Sequence, residues 1–212
     1  GEKMSKSLGN VVAPADLIGQ FGLDQTRYFL LREVPFGSDG NFSRERMIAV
    51  INSELANNIG NLVQRTLSMI AKNCEGKVPA ADWGMFDEEL KRRCYGSLAA
   101  VSKLMEEKKF HLALEEILAL STAANGYIDK EAPWALKKTD PKRMEHVLYC
   151  LAECIRCIAI LLQPFMPTAT AKILDMLDIP KDARGFKELS QESALVSGAA
   201  ILPPQAVFPR FV

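Results

Sequence analysis

Val147-Leu148-Tyr149-Cys150-Leu151-Ala152-Glu153-Cys154-Ile155-Arg156-Cys157-Ile158-Ala159-Ile160-Leu161-Leu162 repeats apolar residues at three- and four-residue steps. That is the period of an α-helix. Val147, Leu148, Leu151, Cys154, Ile155, Ile158, Leu161 and Leu162 form a band wider than a one-sided surface stripe. A helix so lined is covered on several sides and belongs at the centre of a bundle. Upstream, Asp140-Pro141 supplies an N-cap and a first-turn proline. Downstream, Pro164 and Pro167 end it.

Working outward, helical periodicity recurs on both sides. A helix over 168–177 stops before Pro180. Phe110, Leu114, Ile117, Ser121, Ala124 and Ile128 line one face of another over 110–130. Asp87 caps a helix carrying Leu90, Cys94, Leu98, Val101 and Met105. Ser43 caps a long one that ends near Cys74-Glu75-Gly76, with Ile48, Ile51, Leu55, Ile59 and Leu62 as its stripe. Short apolar helices are expected over 17–21 and from Asp24 to Glu33, with one brief extended piece at Asn41-Phe42. Residues 77–86 read as a linker, with Trp83 as a packing residue. The fold class expected is mainly α: an antiparallel helical bundle with short connections. Three units are expected: a connector over 1–42, the bundle over 43–180, and an extended, proline-rich arm over 181–212 packed on another surface.

Composition sets limits on function. Apolar residues are 48% and charged residues 25%, enough to bury a core. Twenty-six basic residues balance twenty-six acidic ones, which argues against a general nucleic-acid coat and leaves room for a local site. The chain contains no apolar run of membrane-spanning length. The five cysteines are an odd number, and Cys150, Cys154 and Cys157 share one helix stripe. Reduced thiols and a cytoplasmic location are expected. Cys154 and Cys157 make a lone C-x-x-C better read as packing than as a zinc site; His111 and His146 have no ligand partners at useful spacing. No metal ligand is assigned.

Two other stretches carry chemistry. Lys3-Met4-Ser5-Lys6-Ser7, continuing Leu8-Gly9-Asn10, has neither helical nor strand period and reads as a mobile loop. Lysines on a pliable loop suit a polyphosphate whose charge moves during reaction. Glu131-Ala132-Pro133-Trp134 interrupts a helix and leaves a tryptophan at the bend. Its ring is either a staple on the core or a platform for an unstacked base. On the long helix, Asn61 and Arg65 stand one turn apart, off the apolar stripe. As chemistry alone they are an ordinary polar pair, or two groups able to read polar edges together.

The run from Lys3 to Ser7 resembles the ATP-site signature loop of class I aminoacyl-tRNA synthetases. The residues after it resemble the methionyl-tRNA synthetases in register: Leu8-Gly9-Asn10-Val11-Val12, Asp16-Leu17-Ile18, Phe21-Gly22-Leu23-Asp24, Arg27-Tyr28-Phe29-Leu30-Leu31-Arg32-Glu33 and Phe36-Gly37-Ser38-Asp39-Gly40-Asn41-Phe42-Ser43. The resemblance covers nearly the whole chain. It implies a C-terminal portion of that family's enzyme: signature loop, stem-contact module and anticodon-binding bundle. The chain opens on Gly1 and reaches the loop at once, so a piece of a longer ligase is expected, inactive alone for want of the nucleotide-binding domain. The resemblance further implies that the parent joins methionine to tRNA(Met) with ATP and Mg²⁺, none of them expected bound to this piece. Lys6 is implied as the catalytic residue, with Lys3, Met4, Ser5 and Ser7 completing the ATP loop. Asn61, Arg65 and Trp134 are implied as anticodon contacts. Two other readings of the chain are a non-catalytic tRNA-binding module and a helical protein-interaction domain, neither of which needs an ATP loop.

Overall fold

A computed structural model describes residues 3–80 and 86–212; Trp83 lies outside the described residues. The central helix forms as the sequence predicts. α8 (Pro141–Leu162) starts where the Asp140 side chain accepts from the Arg143 amide at 3.0 Å, with Pro141 in the first turn. Every residue from His146 to Leu162 is buried. Around it pack α4 (Asn61–Asn73), α5 (Glu88–Glu106), α6 (Phe110–Glu131), α7 (Pro133–Thr139) and α9 (Pro167–Met176). Asp87 caps α5 through the Leu90 amide. Cys94 Sγ lies 3.4 Å from Cys154 Sγ as part of the core, and burial pushes the Cys150 thiol up to about 12. His146 is buried, its Nε2 3.3 Å from Cys150 Sγ.

One ion pair sits inside this core. Arg156 and Glu153 meet at 2.6 Å with side chains 1% and 0% exposed. Tyr95 and the Leu195 amide donate to the carboxylate, and Arg156 donates to the Glu188 carbonyl. Such saturation is what makes burying two charges tolerable.

The long helix from Ser43 differs from expectation in its winding. α3 (Arg44–Val50), capped by Ser43, passes into a π-helical segment (Ile51–Gly60) and then α4. Ile51, Leu55 and Ile59 are buried in this wider winding, as they would be in an α-helix. The apolar pattern therefore does not distinguish the two. Asn58 ties the segment to α6: its Oδ1 accepts from Ser121 at 2.7 Å and Asn125 at 2.9 Å. No strand forms at Asn41-Phe42; the pairing present among the described residues is one bridge, Lys77 with Ala200.

The connector helices α1 (Pro14–Phe21) and α2 (Leu23–Glu33) are held by distant parts of the chain. Arg27 donates to the carbonyls of Phe165 and Pro164, and the Asp24 carboxylate accepts from the Ala169 amide at the start of α9. After three single-turn 3₁₀ helices (Lys181–Ala183, Phe186–Glu188, Gln191–Ser193) the arm runs extended across the chain's own surface. Leu202 donates to the Met176 carbonyl and Phe208 presses on Gly60. Asn52 then both donates to and accepts from the Phe211 backbone, at 2.7 and 2.9 Å. The Phe211 ring meets Phe21 edge-on at 5.0 Å.

Candidate nucleic-acid interface

α6 ends at Ala132, which adopts φ 45°, ψ 59°. This left-handed residue turns the chain sharply, and Pro133 at the first position of α7 starts a new helix. The sequence signalled the bend but not the short helix after it. Pro133 is buried; Trp134, the next residue, is 49% exposed. The staple alternative therefore falls to Pro133, and the indole is left at the surface.

Arg65 comes to the same place from α4. Its guanidinium carbon stands 5.3 Å from the Trp134 ring centroid, within cation–π range. Its Nη2 donates to Asp129 Oδ1 at 2.6 Å. The pair is open, with side chains 30% and 64% exposed. Asn61, the first residue of α4, is half-buried one turn earlier, and its side chain makes no hydrogen bond among the described residues. Its neighbour in sequence Asn58, to which the sequence alone assigns no role, holds the scaffold under this site. Chemically the cluster offers a flat π-face, a guanidinium with donors to exchange, and a free amide.

Asp129 was missed from sequence. A signal existed: a carboxylate in the last turn of a helix faces the negative end of the helix dipole and needs a reason to be there. Glu131, in the same turn, has its own partner in Arg143 at 2.8 Å. Lys130, Lys137 and Lys138 are exposed around the bend.

The N-terminal loop has more local order than its lack of period suggested. The Ser5 amide donates to Asn10 Oδ1 at 2.8 Å, Asn10 Nδ2 donates to the Lys3 carbonyl, and Ser5 and Ser7 hydroxyls lie 3.1 Å apart. Lys6 opens a 3₁₀ turn (Lys6–Leu8); its side chain lies outside the described residues. The loop and the Arg65–Trp134 cluster are separate features. Among the described residues no group of His, Cys, Asp and Glu is arranged to hold a metal ion, and no helix is long and apolar enough to cross a membrane.

Comparison with known proteins identifies the family, and its two matches put Asn61 and Arg65 with the loop in one and Trp134 in the other. Residues 1–67 match the tRNA synthetases class I (M). Residues 78–212 match the anticodon binding domain of methionyl tRNA ligase, and the chain belongs to that family. A methionine–tRNA ligase of Rickettsia felis is 50% identical over 215 residues, covering 100% of this chain and 42% of the relative. One from Mesorhizobium japonicum is 50% identical over 213 residues, covering 100% and 41%. The Mycobacterium tuberculosis methionyl-tRNA synthetase in complex with methionyl-adenylate superposes with a TM-score of 0.94 at 44% identity, over 99% of this chain and 42% of that one. The chain thus spans about two fifths of the length of these relatives.

Proposed function

We propose that this chain is the part of a methionine–tRNA ligase that carries the ATP loop and reads the anticodon. In the whole ligase the methionine carboxylate attacks the α-phosphate of Mg²⁺-bound ATP and pyrophosphate leaves; a hydroxyl at the 3′ end of tRNA(Met) then attacks the adenylate's carbonyl, and AMP leaves. Lys6 follows the charge onto the departing pyrophosphate, with Lys3, Met4, Ser5 and Ser7 shaping the loop. Asn61, Arg65 and Trp134 take the anticodon: the indole stacks a base, while the amide and guanidinium bond its edge. Residues 1–42 serve as loop and stem-contact connector, 43–180 as the anticodon-binding bundle and 181–212 as its arm. The reaction and its tRNA substrate suit a cytoplasmic enzyme. One observation carries the reading: in a chain of this family, Arg65 lies over an exposed Trp134 with an unengaged Asn61 one turn away.

The experiment is titration with an anticodon stem-loop bearing CAU and with one changed at the first anticodon base. Asn61→Ala and Arg65→Ala weaken the first far more than the second, because base-edge bonds specify while phosphate contacts position. Equal losses on both RNAs would reassign the two residues to the backbone.

A further inference from the structure

Asn61 also borders a recess that the anticodon reading does not use. A groove of about 380 Å³ runs between α4 and the C-terminal arm, lined among others by Gly60, Asn61, Gln64, Pro204, Val207 and Phe208. Gly60 lies where the arm meets the helix. A Cβ there would meet the Leu55 carbonyl at 3.1 Å and the Phe208 ring at 3.5 Å, so the arm closes directly on the helix backbone.

The helix turns about 100° per residue, which places Gln64 roughly 60° to one side of Asn61 and Arg65 roughly 40° to the other. Arg65 leans toward Trp134 and Asp129; Gln64 leans toward the arm. Asn61 stands on the ridge between them, with its amide unengaged among the described residues. Gln64 Nε2 donates to Ser68 Oγ at 3.1 Å, and its carbonyl oxygen accepts no hydrogen bond among the described residues. Among the described residues the groove carries no charged lining residue. Its walls are apolar, and its rim presents two neutral amides, each with a donor and an acceptor. That is the chemistry of a nucleobase edge and face. A phosphate would find no cation there, and a purely apolar side chain would strip water from both amides without replacing it.

We propose that this groove takes a second unstacked nucleobase from the same RNA loop whose other base stacks on Trp134, with Gln64 reading its edge and Asn61 shared between the two. The inference rests on the RNA-reading role proposed above and adds the C-terminal arm to the reader. Asn61 lies one turn, about 6 Å, before Arg65. A strand with two adjacent bases splayed out spans that ridge in a single nucleotide step.

The test uses this chain and a set of CAU stem-loops, one intact and the others abasic at each loop position in turn. Two variants sit at exposed positions away from the core: Gln64→Ala removes an edge contact, and Ala206→Tyr fills the groove from the arm side. Gln64→Ala weakens the intact stem-loop roughly three- to tenfold, the worth of one hydrogen bond. It causes no further loss on the one abasic RNA that lacks the base in the groove. Ala206→Tyr weakens the intact RNA at least as much and leaves urea unfolding unchanged. Trp134→Ala is measured alongside. If Trp134→Ala weakens binding while both groove variants bind within about twofold of the parent, the groove is no base site and the anticodon reading survives. If Gln64→Ala loses equally on every abasic RNA, its contact is not with a base. If Trp134→Ala has no effect, the anticodon reading itself fails.

Discussion

Arg156 with Glu153, and Arg65 with Asp129, are both guanidinium–carboxylate pairs with an N···O distance of 2.6 Å. In the core, neither partner is more than 1% exposed, and neighbouring groups hold both: Tyr95, the Leu195 amide and the Glu188 carbonyl. Burial pulls the Arg156 guanidinium down, yet the Glu153 carboxylate more than offsets this and leaves it raised. At the surface, water reaches both partners, and the guanidinium also leans on a half-exposed indole. Distance alone therefore says little about role. A pair enclosed and saturated on every side can only be kept or destroyed. A pair open to water exchanges partners at small cost, which is what a recognition site requires.

Substitutions at four positions probe that contrast. Arg156→Met strands Glu153 without its counter-charge in the core, and urea unfolding of the variant shows a loss of about 3–5 kcal/mol. A loss under about 1 kcal/mol would place the two pairs in one class. Trp134→Ala acts on the other side. Stem-loop binding falls roughly ten- to a hundredfold, while stability changes by less than about 1 kcal/mol. Trp134→Phe, which keeps a π-face, recovers part of the affinity. A Trp134→Ala protein that unfolds early but binds normally when folded would return the indole to a packing role. Asp129→Asn frees the Arg65 guanidinium. Its expected signature in calorimetric titration is a gain of roughly two- to fivefold in stem-loop affinity with little change in Tm. Weaker binding would mean that Asp129 orients Arg65 instead of competing for it. Ala132→Gly gives the smallest effect. It relieves a left-handed alanine and raises stability by less than about 1 kcal/mol, with binding unchanged. A fall in Tm would mean that the Ala132 methyl contributes packing at the bend.

α8 was legible because burial on all sides leaves an apolar residue at nearly every step, and its capping residues mark both ends. The exposed indole at the bend was legible for the opposite reason: a proline breaks the helix, and a large aromatic follows where the helical core stripe is interrupted. What stayed hidden has physical causes. The π winding of Ile51–Gly60 buries the same isoleucines and leucine as an α-helix, so periodicity cannot detect it. Asp129 belongs to the site through a contact sixty-four residues away in sequence, which no local pattern encodes. The arm was expected to be extended, yet its partners Gly60 and Asn52 are unremarkable as sequence: one is a missing side chain, the other a common amide. The 3₁₀ turns before the arm are too short to build a period.

The bonds that tether α1, α2 and the π segment also set an order of events during synthesis. Arg27 waits for residues 164 and 165, Asp24 for 169, and Asn52 for 211, separations of 137 to 159 positions. At about 5–20 residues per second, the last of these partners is made roughly 8–30 s after Asn52. Until then Phe21 lacks the Phe211 ring that meets it in the finished fold. The first part of this chain to be made is thus among the last to reach its final contacts. A truncation that removes only the final few residues is felt at the opposite end of the sequence, in the connector that leads to the lysine loop.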